Sequence, residues 1–283
     1  MTIYNPEVFA SFPGLANDFH SAQPYKHIVI DGLFDDHFLR QVAGEFYPLD
    51  DPRWSRFHNA NEEKLVVSNS EQHLPPTVKT FLRELNAEPF LKQLTALTGI
   101  EGLIPDPYLG GAGMHCIPRG GRLAIHADFN IHPLMRVDRR LNLLVYLNEH
   151  WQESYGGHLE LWDRAMQHCV RRILPIFNRT VLFLTDDFSF HGHPDPLNCP
   201  EQHARKSIAM YYYTNSRPLS ELQTVADHGT LFQERPHEQR PVSPPPSVAE
   251  RLLATSNHCE AVSDRQHKST PVIARLKRAL RWK

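Results

Sequence analysis

The stretch Arg122-Leu-Ala-Ile-His126-Ala-Asp128-Phe-Asn130 places an imidazole and a carboxylate two residues apart in a segment that reads as a strand. Side chains on a strand repeat every second residue, so His126 and Asp128 share a face with Cα atoms about 6 to 7 Å apart. Such a pair can chelate a cation. A second imidazole from a distant segment would complete the set of two His and one carboxylate that holds one face of a ferrous ion and leaves the other positions open. The run Thr185-Asp-Asp-Phe-Ser-Phe-His191-Gly-His193-Pro-Asp-Pro offers two such imidazoles, and either His191 or His193 can serve. Further on, Arg205 opens the strand Arg205-Lys-Ser-Ile-Ala-Met-Tyr-Tyr-Tyr-Thr214. A guanidinium is costly to bury in a barrel mouth without a carboxylate, and it grips carboxylates in a two-pronged fork. That combination predicts an acidic small molecule as ligand, with Lys206, on the opposite face by strand alternation, the second choice for the role.

These residues need a scaffold, and the patterning supplies one. Strand-like segments cover residues 114–118, 122–128, 141–147, 157–162, 170–176, 180–185 and 205–214. They are punctuated by Gly110-Gly111, Gly120-Gly121 and Gly156-Gly157, with no long helical pattern between them. That spacing predicts an antiparallel sandwich or barrel rather than a βαβ fold. Ahead of them, residues 25–31 read as a strand, and Asp35 caps a helix carrying Phe38, Leu39, Val42 and Phe46. Pro75-Pro76 opens a helix with Val78, Phe81, Leu82 and Leu85 on one side. Pro89 opens another with Phe90, Leu91, Leu94 and Leu97, closed by Gly99. Their apolar faces need a sheet to cover. Residues 1–24 read as an irregular lead-in, and 47–73 as loops or a long edge hairpin. Gly110-Gly-Ala-Gly113 lacks the following Gly-Lys-Ser/Thr and helix of a phosphate loop.

With 283 residues, 41% hydrophobic and 22% charged, the chain reads as one globular core with appendages. A net charge of -2 argues against a dedicated nucleic-acid binder. No apolar run approaches the roughly 20 residues that cross a bilayer, and the start has no basic segment before an apolar one, so a cytoplasmic location is expected. Cys116, Cys169, Cys199 and Cys259 have no paired spacing and read as reduced thiols. Of the 18 histidines, a single metal site uses only two or three; His115, His132 and the unused member of the 191/193 pair read as ordinary hydrogen-bonded residues. Residues 241–247 form a proline-rich linker. Residues 271–283 read as a basic amphipathic helix of the kind that lies on an anionic membrane surface, docks a partner, or is simply a soluble tail. The organisation expected is therefore a supporting strand and helices in 1–108, the chemistry-bearing core in 109–217 and an extension in 218–283.

The order His-x-Asp, Tyr146-Leu-Asn, Gly156-Gly157, His, then Arg on a late strand resembles the prolyl 4-hydroxylase type of iron(II)/2-oxoglutarate-dependent oxygenase, from about Met114 to Tyr213. The resemblance implies a mainly β fold with flanking helices (α+β): a double-stranded β-helix, or jelly roll, with N-terminal helices on its larger sheet. It also implies that His126, Asp128 and a later His bind iron and are the catalytic set. The short turn and proline after His191 favour that residue over His193. Arg205 and Tyr146 would bind the far carboxylate of 2-oxoglutarate. Fe(II), 2-oxoglutarate and O₂ are the implied cofactors, with ascorbate as an ancillary reductant. The implied reaction is oxidative decarboxylation to succinate and CO₂, coupled to hydroxylation of an unactivated C–H bond in a peptidyl or free amino acid or a small metabolite. This chain departs from the pattern in two places. The segment between His191 and Arg205 is longer than in compact members, and a tyrosine often found ten residues before the first iron ligand is here Cys116, beside His115.

Residues 129–138 form a long connection directly after Asp128, so Asn130, His132 and Arg136 are expected at the substrate rim. Two other readings use the same residues: a non-catalytic sensor of iron or 2-oxoglutarate, and a cupin-type jelly-roll enzyme with another metal. Oxygen-dependent succinate formation separates the first from an oxygenase. Arg205 and Tyr146 argue against the second.

Overall fold

Local chain chemistry sets the three longer helices. In the computed structural model, which describes residues 3–218, 221 and 227–236, the side chain of Asp35 accepts a hydrogen bond from the Phe38 amide at 2.8 Å and starts a helix at Asp36. Pro76 and Pro89 sit in the first turns of the next two, where a missing N–H costs nothing. Gly99, at φ 68°, ends the last of them in the left-handed conformation that glycine adopts without strain.

In chain order the elements are α1 (Pro6–Ala10), α2 (Ala16–Ser21), β1 (His27–Asp31), α3 (Asp36–Gly44), β2 (Ser55–His58), β3 (Glu62–Val67), α4 (Pro76–Leu85), α5 (Glu88–Thr98) and β4 (Ile104–Pro105). There follow β5 (Gly113–Pro118), β6 (Arg122–Ala127), β7 (Asp138–Tyr146), β8 (Leu159–Trp162), β9 (Cys169–Ile173), β10 (Arg179–Leu184), β11 (His191–His193), β12 (Ala204–Thr214) and β13 (Leu231–Phe232). Every pairing is antiparallel, in the order β1-β10-β7-β12-β5-β3-β6-β11-β8-β9.

The eight strands β5 to β12 divide between two sheets, β10, β7, β12 and β5 on one and β6, β11, β8 and β9 on the other, alternating except at the β8–β9 hairpin. This is the jelly-roll arrangement. Tyr146, Val181 and Phe183 of the first sheet pack against Leu159, Leu161 and Ile173 of the second, so the sheets lie face to face. On the outer face of the first, Leu141, Leu143, Val145, Ile208, Met210 and Tyr212 meet the stripes of α3, α4 and α5: Phe38, Leu39, Val42, Val78, Phe81, Leu85, Phe90 and Leu94. The N-terminal helices therefore cover the larger sheet, sharing one core with it. Alternation follows from this, because positions 208, 210 and 212 face the helices and positions 205 and 207 face the space between the sheets.

Three parts differ from the sequence reading. The lead-in is not irregular, since α1, α2 and a turn of 3-10 helix at Phe12–Leu15 bury Phe12 and Phe19. Helices of five or six residues are too short for a 3.6-residue period to register. The hairpin β2–β3 exists, but β3 is not an edge strand: it pairs with both β5 and β6 and joins the two sheets. The run at 191–193 is a strand, not a turn. The linker at 241–247 and the amphipathic tail lie outside the described residues.

Phe81 is fully buried and makes edge contacts with Phe34 and Phe38 at centroid distances of 4.8 and 5.6 Å. Phe81→Ala is expected to lower stability by about 3–5 kcal/mol, from the lost transfer energy plus the cavity it leaves. Denaturant unfolding reads this directly, and a loss under about 1 kcal/mol would show that α4 does not hold the sheet.

Candidate functional site

Between the two sheets, near β6 and β11, lies a cavity of about 90 Å³. His126 on β6 and His191 on β11 are directly opposed in the antiparallel pairing, with ring centroids 4.4 Å apart. Asp128 follows the end of β6; its Oδ1 is 3.6 Å from His126 Nε2 and its Oδ2 is 3.5 Å from His191 Nε2. One ligand atom from each of the three falls within 4.8 Å of the other two, with His126 and His191 buried and Asp128 partly so.

The imidazoles are poised as ligands by their own strands. Nδ1 of His126 donates to the Ala124 carbonyl and Nδ1 of His191 to the Ser189 carbonyl, each at 2.8 Å. A carbonyl can only accept, so in each neutral ring the lone pair resides on Nε2, the atom facing Asp128. Burial, then the neighbouring His126, lowers the His191 pKa to about 4, which keeps this ring neutral at ordinary pH.

Asp128 is supported from behind. Asn142 Nδ2 donates to its Oδ2 at 2.6 Å, and Arg139 Nη2 stands 3.1 Å from the same oxygen as an ion pair. Burial alone would raise the carboxyl's pKa, but Arg139, His126 and His191 outweigh it and hold the group well below the usual carboxylate range. Arg139, 1% exposed, is sandwiched between the rings of Tyr211 and Phe129 at 3.5 and 4.4 Å. Neither Arg139 nor Asn142 was singled out from sequence. Asn142 shares strand parity with Tyr146 and was findable; Arg139 is not, because β12 slips register opposite it at Tyr212/Tyr213.

Arg205 lines the same cavity and is 4% exposed. Its Nε donates to the Gly157 carbonyl at 2.8 Å and its Nη2 to the Tyr146 hydroxyl at 3.1 Å. Among the described residues no carboxylate lies within 4 Å of the guanidinium. Burial lowers its pKa from the ordinary arginine value, although Tyr146 counters this. A buried cation answered by two neutral acceptors is short of an anion. Gly157 makes this seat: at φ 71°, a Cβ there would meet Leu197 Cδ2 at 2.6 Å and Arg205 Cδ at 3.0 Å. Lys206 faces the other way, its ammonium 5.5 Å from the Phe46 ring beside α3.

His193 lies on the same face of β11 as His191, but opposite Leu123, and is therefore not part of the three-residue cluster. It lines the cavity, as do His115 and Lys64. Gly192 between the histidines lets β11 press onto β6, since a Cβ there would sit 2.7 Å from the Ala124 carbonyl oxygen. Cys116, in the position of the absent tyrosine, faces the helices instead; its neighbour His115 faces the cavity and donates through Nε2 to the Gly111 carbonyl at 2.9 Å.

The three expected rim residues do not line this cavity. His132 is 1% exposed and serves its own loop: Nδ1 accepts from the Leu134 and Met135 amides, and Nε2 stands 3.3 Å from Asp106. The Oδ1 of Asn130 accepts from the His228 amide, and the exposed Arg136 pairs with Asp227. The 129–138 connection is therefore fastened to the segment 227–236, whose strand β13 pairs with β6 and sets Phe232 5.6 Å from the His126 ring. A larger cleft of about 480 Å³ holds Arg140 and Arg217, but Glu221 and Asp138 already answer them at 2.7 and 3.4 Å.

Two imidazoles and a carboxylate with an open side are the donor set of non-haem iron(II), and a carboxylate-hungry arginine at the far end suits a keto acid that chelates such an ion. The comparisons with known proteins agree. Residues 112–213 match the family model of the 2OG-Fe(II) oxygenase superfamily. The matched segment carries all three residues of the cluster together with Tyr146 and Arg205. The chain is 24% identical over 196 residues to prolyl 3-hydroxylase OGFOD1 of Mus musculus, a match covering 67% of this chain and 33% of that protein, so the chain spans about a third of its relative's length. Its fold is similar to that of a prolyl-4-hydroxylase from Pseudomonas putida (TM-score 0.53, 14% identity, 72% of this chain and 100% of that one). It is also similar to a prolyl hydroxylase from Trichoplax adhaerens solved with a hypoxia inducible factor peptide fragment (TM-score 0.51, 18% identity, 74% and 91%).

Burial lowers the His115 pKa to about 3, with Lys64 adding to the effect. The unfolded chain titrates this ring near 6.5, so between about 6.5 and 3 it binds a proton that the folded chain refuses. This group's contribution to stability is present above that window and is lost as pH falls through it, by at most about 1.4 kcal/mol per pH unit. Metal-free His115→Gln is expected to show a shallower acid loss of stability than the parent; parallel curves would mean that the ring accepts its proton in the folded state.

Proposed function

We propose that this chain hydroxylates an unactivated C–H bond of a peptidyl or free amino acid, with a prolyl ring the first candidate, or of a small metabolite. The observation that carries the proposal is the presence, in one cavity, of the His126–Asp128–His191 cluster and a buried Arg205 with no carboxylate among the described residues. The descriptions of the mouse relative as a prolyl 3-hydroxylase, and of the Trichoplax structure as holding a peptide, support a prolyl substrate.

In this reading His126 Nε2, His191 Nε2 and Asp128 hold the iron, Arg205 and the Tyr146 hydroxyl hold the far carboxylate of 2-oxoglutarate, and these are the site's working residues. Iron bound there with 2-oxoglutarate and O₂ supplies the oxidative decarboxylation to succinate and CO₂ that drives hydroxylation. The protein's share is positioning. Ala124 and Ser189 fix the imidazole tautomers, and Arg139 and Asn142 keep Asp128 ionised and aimed. Leu144, Leu159 and the edge of Phe183, 4.6 Å from His191, exclude water around the cosubstrate. Phe232 packs beside the His126 ring, 5.6 Å away, on the strand that pairs with β6. A sensor without turnover would use the same binding groups, and only catalysis separates the two.

The test is incubation with Fe(II), 2-oxoglutarate, O₂ and a panel of proline-containing peptides and free amino acids, reading succinate and a mass gain of one oxygen on the substrate. Both signals are expected, and both should vanish in Asp128→Ala. Arg205→Met should raise KM for 2-oxoglutarate about 30-fold or more, since truncating one partner of a buried charge pair costs about 2 kcal/mol or more. Binding of 2-oxoglutarate without succinate from any panel member would favour the sensor reading.

A further inference from the structure

One buried polar group in the cavity has no assigned work. His193 is 3% exposed, and among the described residues neither of its ring nitrogens has a hydrogen-bond partner. The other cavity histidines are engaged: His115 through Nε2 with the Gly111 carbonyl, and His126 and His191 through Nδ1 with their own strands. A buried imidazole left wholly unpaired is unfavourable unless something that enters the cavity pairs with it.

Its position says what that is. Strand alternation puts His193 on the face of β11 that carries His191, one step further along and opposite Leu123, away from the His126–Asp128 end. Arg205, Leu123 and Ile117 line the cavity with it, with Arg205 opposite Ile117 in the β12–β5 pairing. The backbone cannot shift to relieve the ring, because Gly192 packs directly on the Leu123 and Ala124 carbonyls.

Resting on the function proposed above, we infer that His193 is a third donor to the far carboxylate of 2-oxoglutarate, completing with Arg205 and Tyr146 a three-sided cradle. A neutral imidazole offers one N–H; the planar guanidinium fork presents two N–H groups to one carboxylate and the Tyr146 hydroxyl a third, which leaves one of the carboxylate's about four lone-pair sites for it. His193 thus selects for a keto acid carrying a second carboxylate rather than for keto acids in general.

The experiment compares two ligands in the absence of O₂. 2-Oxoglutarate and pyruvate, which keeps the chelating end but has no far carboxylate, are titrated calorimetrically into the Fe(II)-loaded full-length protein. His193→Leu is expected to weaken 2-oxoglutarate at least tenfold and to change pyruvate and Fe(II) affinity less than twofold. His193→Gln, which restores an N–H donor, should recover most of the loss. Thermal unfolding of both variants checks that they fold. Equal weakening of the two keto acids, or of Fe(II), would overturn the inference by making His193 a structural or metal-side residue; unchanged 2-oxoglutarate affinity would overturn it by making the ring a bystander. A parent protein that binds 2-oxoglutarate but hydroxylates nothing would sink the hydroxylase reading alone, and one that binds no 2-oxoglutarate would sink both.

Discussion

The site depends on one short contact, the antiparallel pairing of β11 with β6. Three residues of β11 carry it, and only because Gly192 has no Cβ can the strand come close enough to the Leu123 and Ala124 carbonyls. That approach opposes His191 to His126 and brings two distant segments of the chain onto one carboxylate. The larger sheet and its helices contribute rigidity: β7 and β12, clamped by α3, α4 and α5 on one side, present Asn142, Tyr146, Arg205 and Ser207 on the other. Inner-face residues can be polar because the outer face supplies the burial that folds the sheet.

Charge is handled differently at the two ends of the cavity. At one end the protein answers its own ion: Asp128 is balanced by Arg139, which two aromatic rings hold in place. The site therefore starts with a fixed, oriented carboxylate and two imidazoles whose Nε2 atoms face it. At the other end Arg205 is left with a hydroxyl and a backbone carbonyl. Among the described residues no carboxylate answers it, and a buried charge so placed stores unfavourable free energy that an anionic ligand would relieve. The wall beside Arg205 fits the same logic. Cys116 turns outward into the helix-side core, and its neighbour His115 and Lys64 line the cavity.

Much of this was legible in the amino-acid sequence where the signal is local. Asp35, Pro76, Pro89 and Gly99 mark helix ends through caps and φ preferences, and the strand segments agree with the observed ones to within a few residues. His126, Asp128, Tyr146 and Arg205 could be placed because alternation assigns faces once a strand is recognised. What stayed hidden depends on non-local register. Nothing near residues 62–67 says that β3 bridges two sheets. Arg139 reaches Asp128 only because β12 slips opposite it, and Phe232 covers His126 from a two-residue strand with no pattern of its own. Asn130, His132 and Arg136, expected at the substrate rim, stand away from the cavity for a related reason. A loop's length does not reveal which way it folds, and this one turns His132 inward onto Asp106 and ties Asn130 and Arg136 to residues 227–236.

The central claim is that one cavity holds a metal at His126, Asp128 and His191 and the far carboxylate of a keto acid at Arg205. The most direct measurement is a crystal structure of the protein grown with Mn(II) and 2-oxoglutarate under argon, with the metal located by its anomalous scattering. The account predicts a single strong peak bonded to the Nε2 atoms of His126 and His191 and to Asp128, with the keto acid extending from it to the Arg205 guanidinium. A metal bound elsewhere, or a keto acid whose far carboxylate leaves Arg205 untouched, would contradict it.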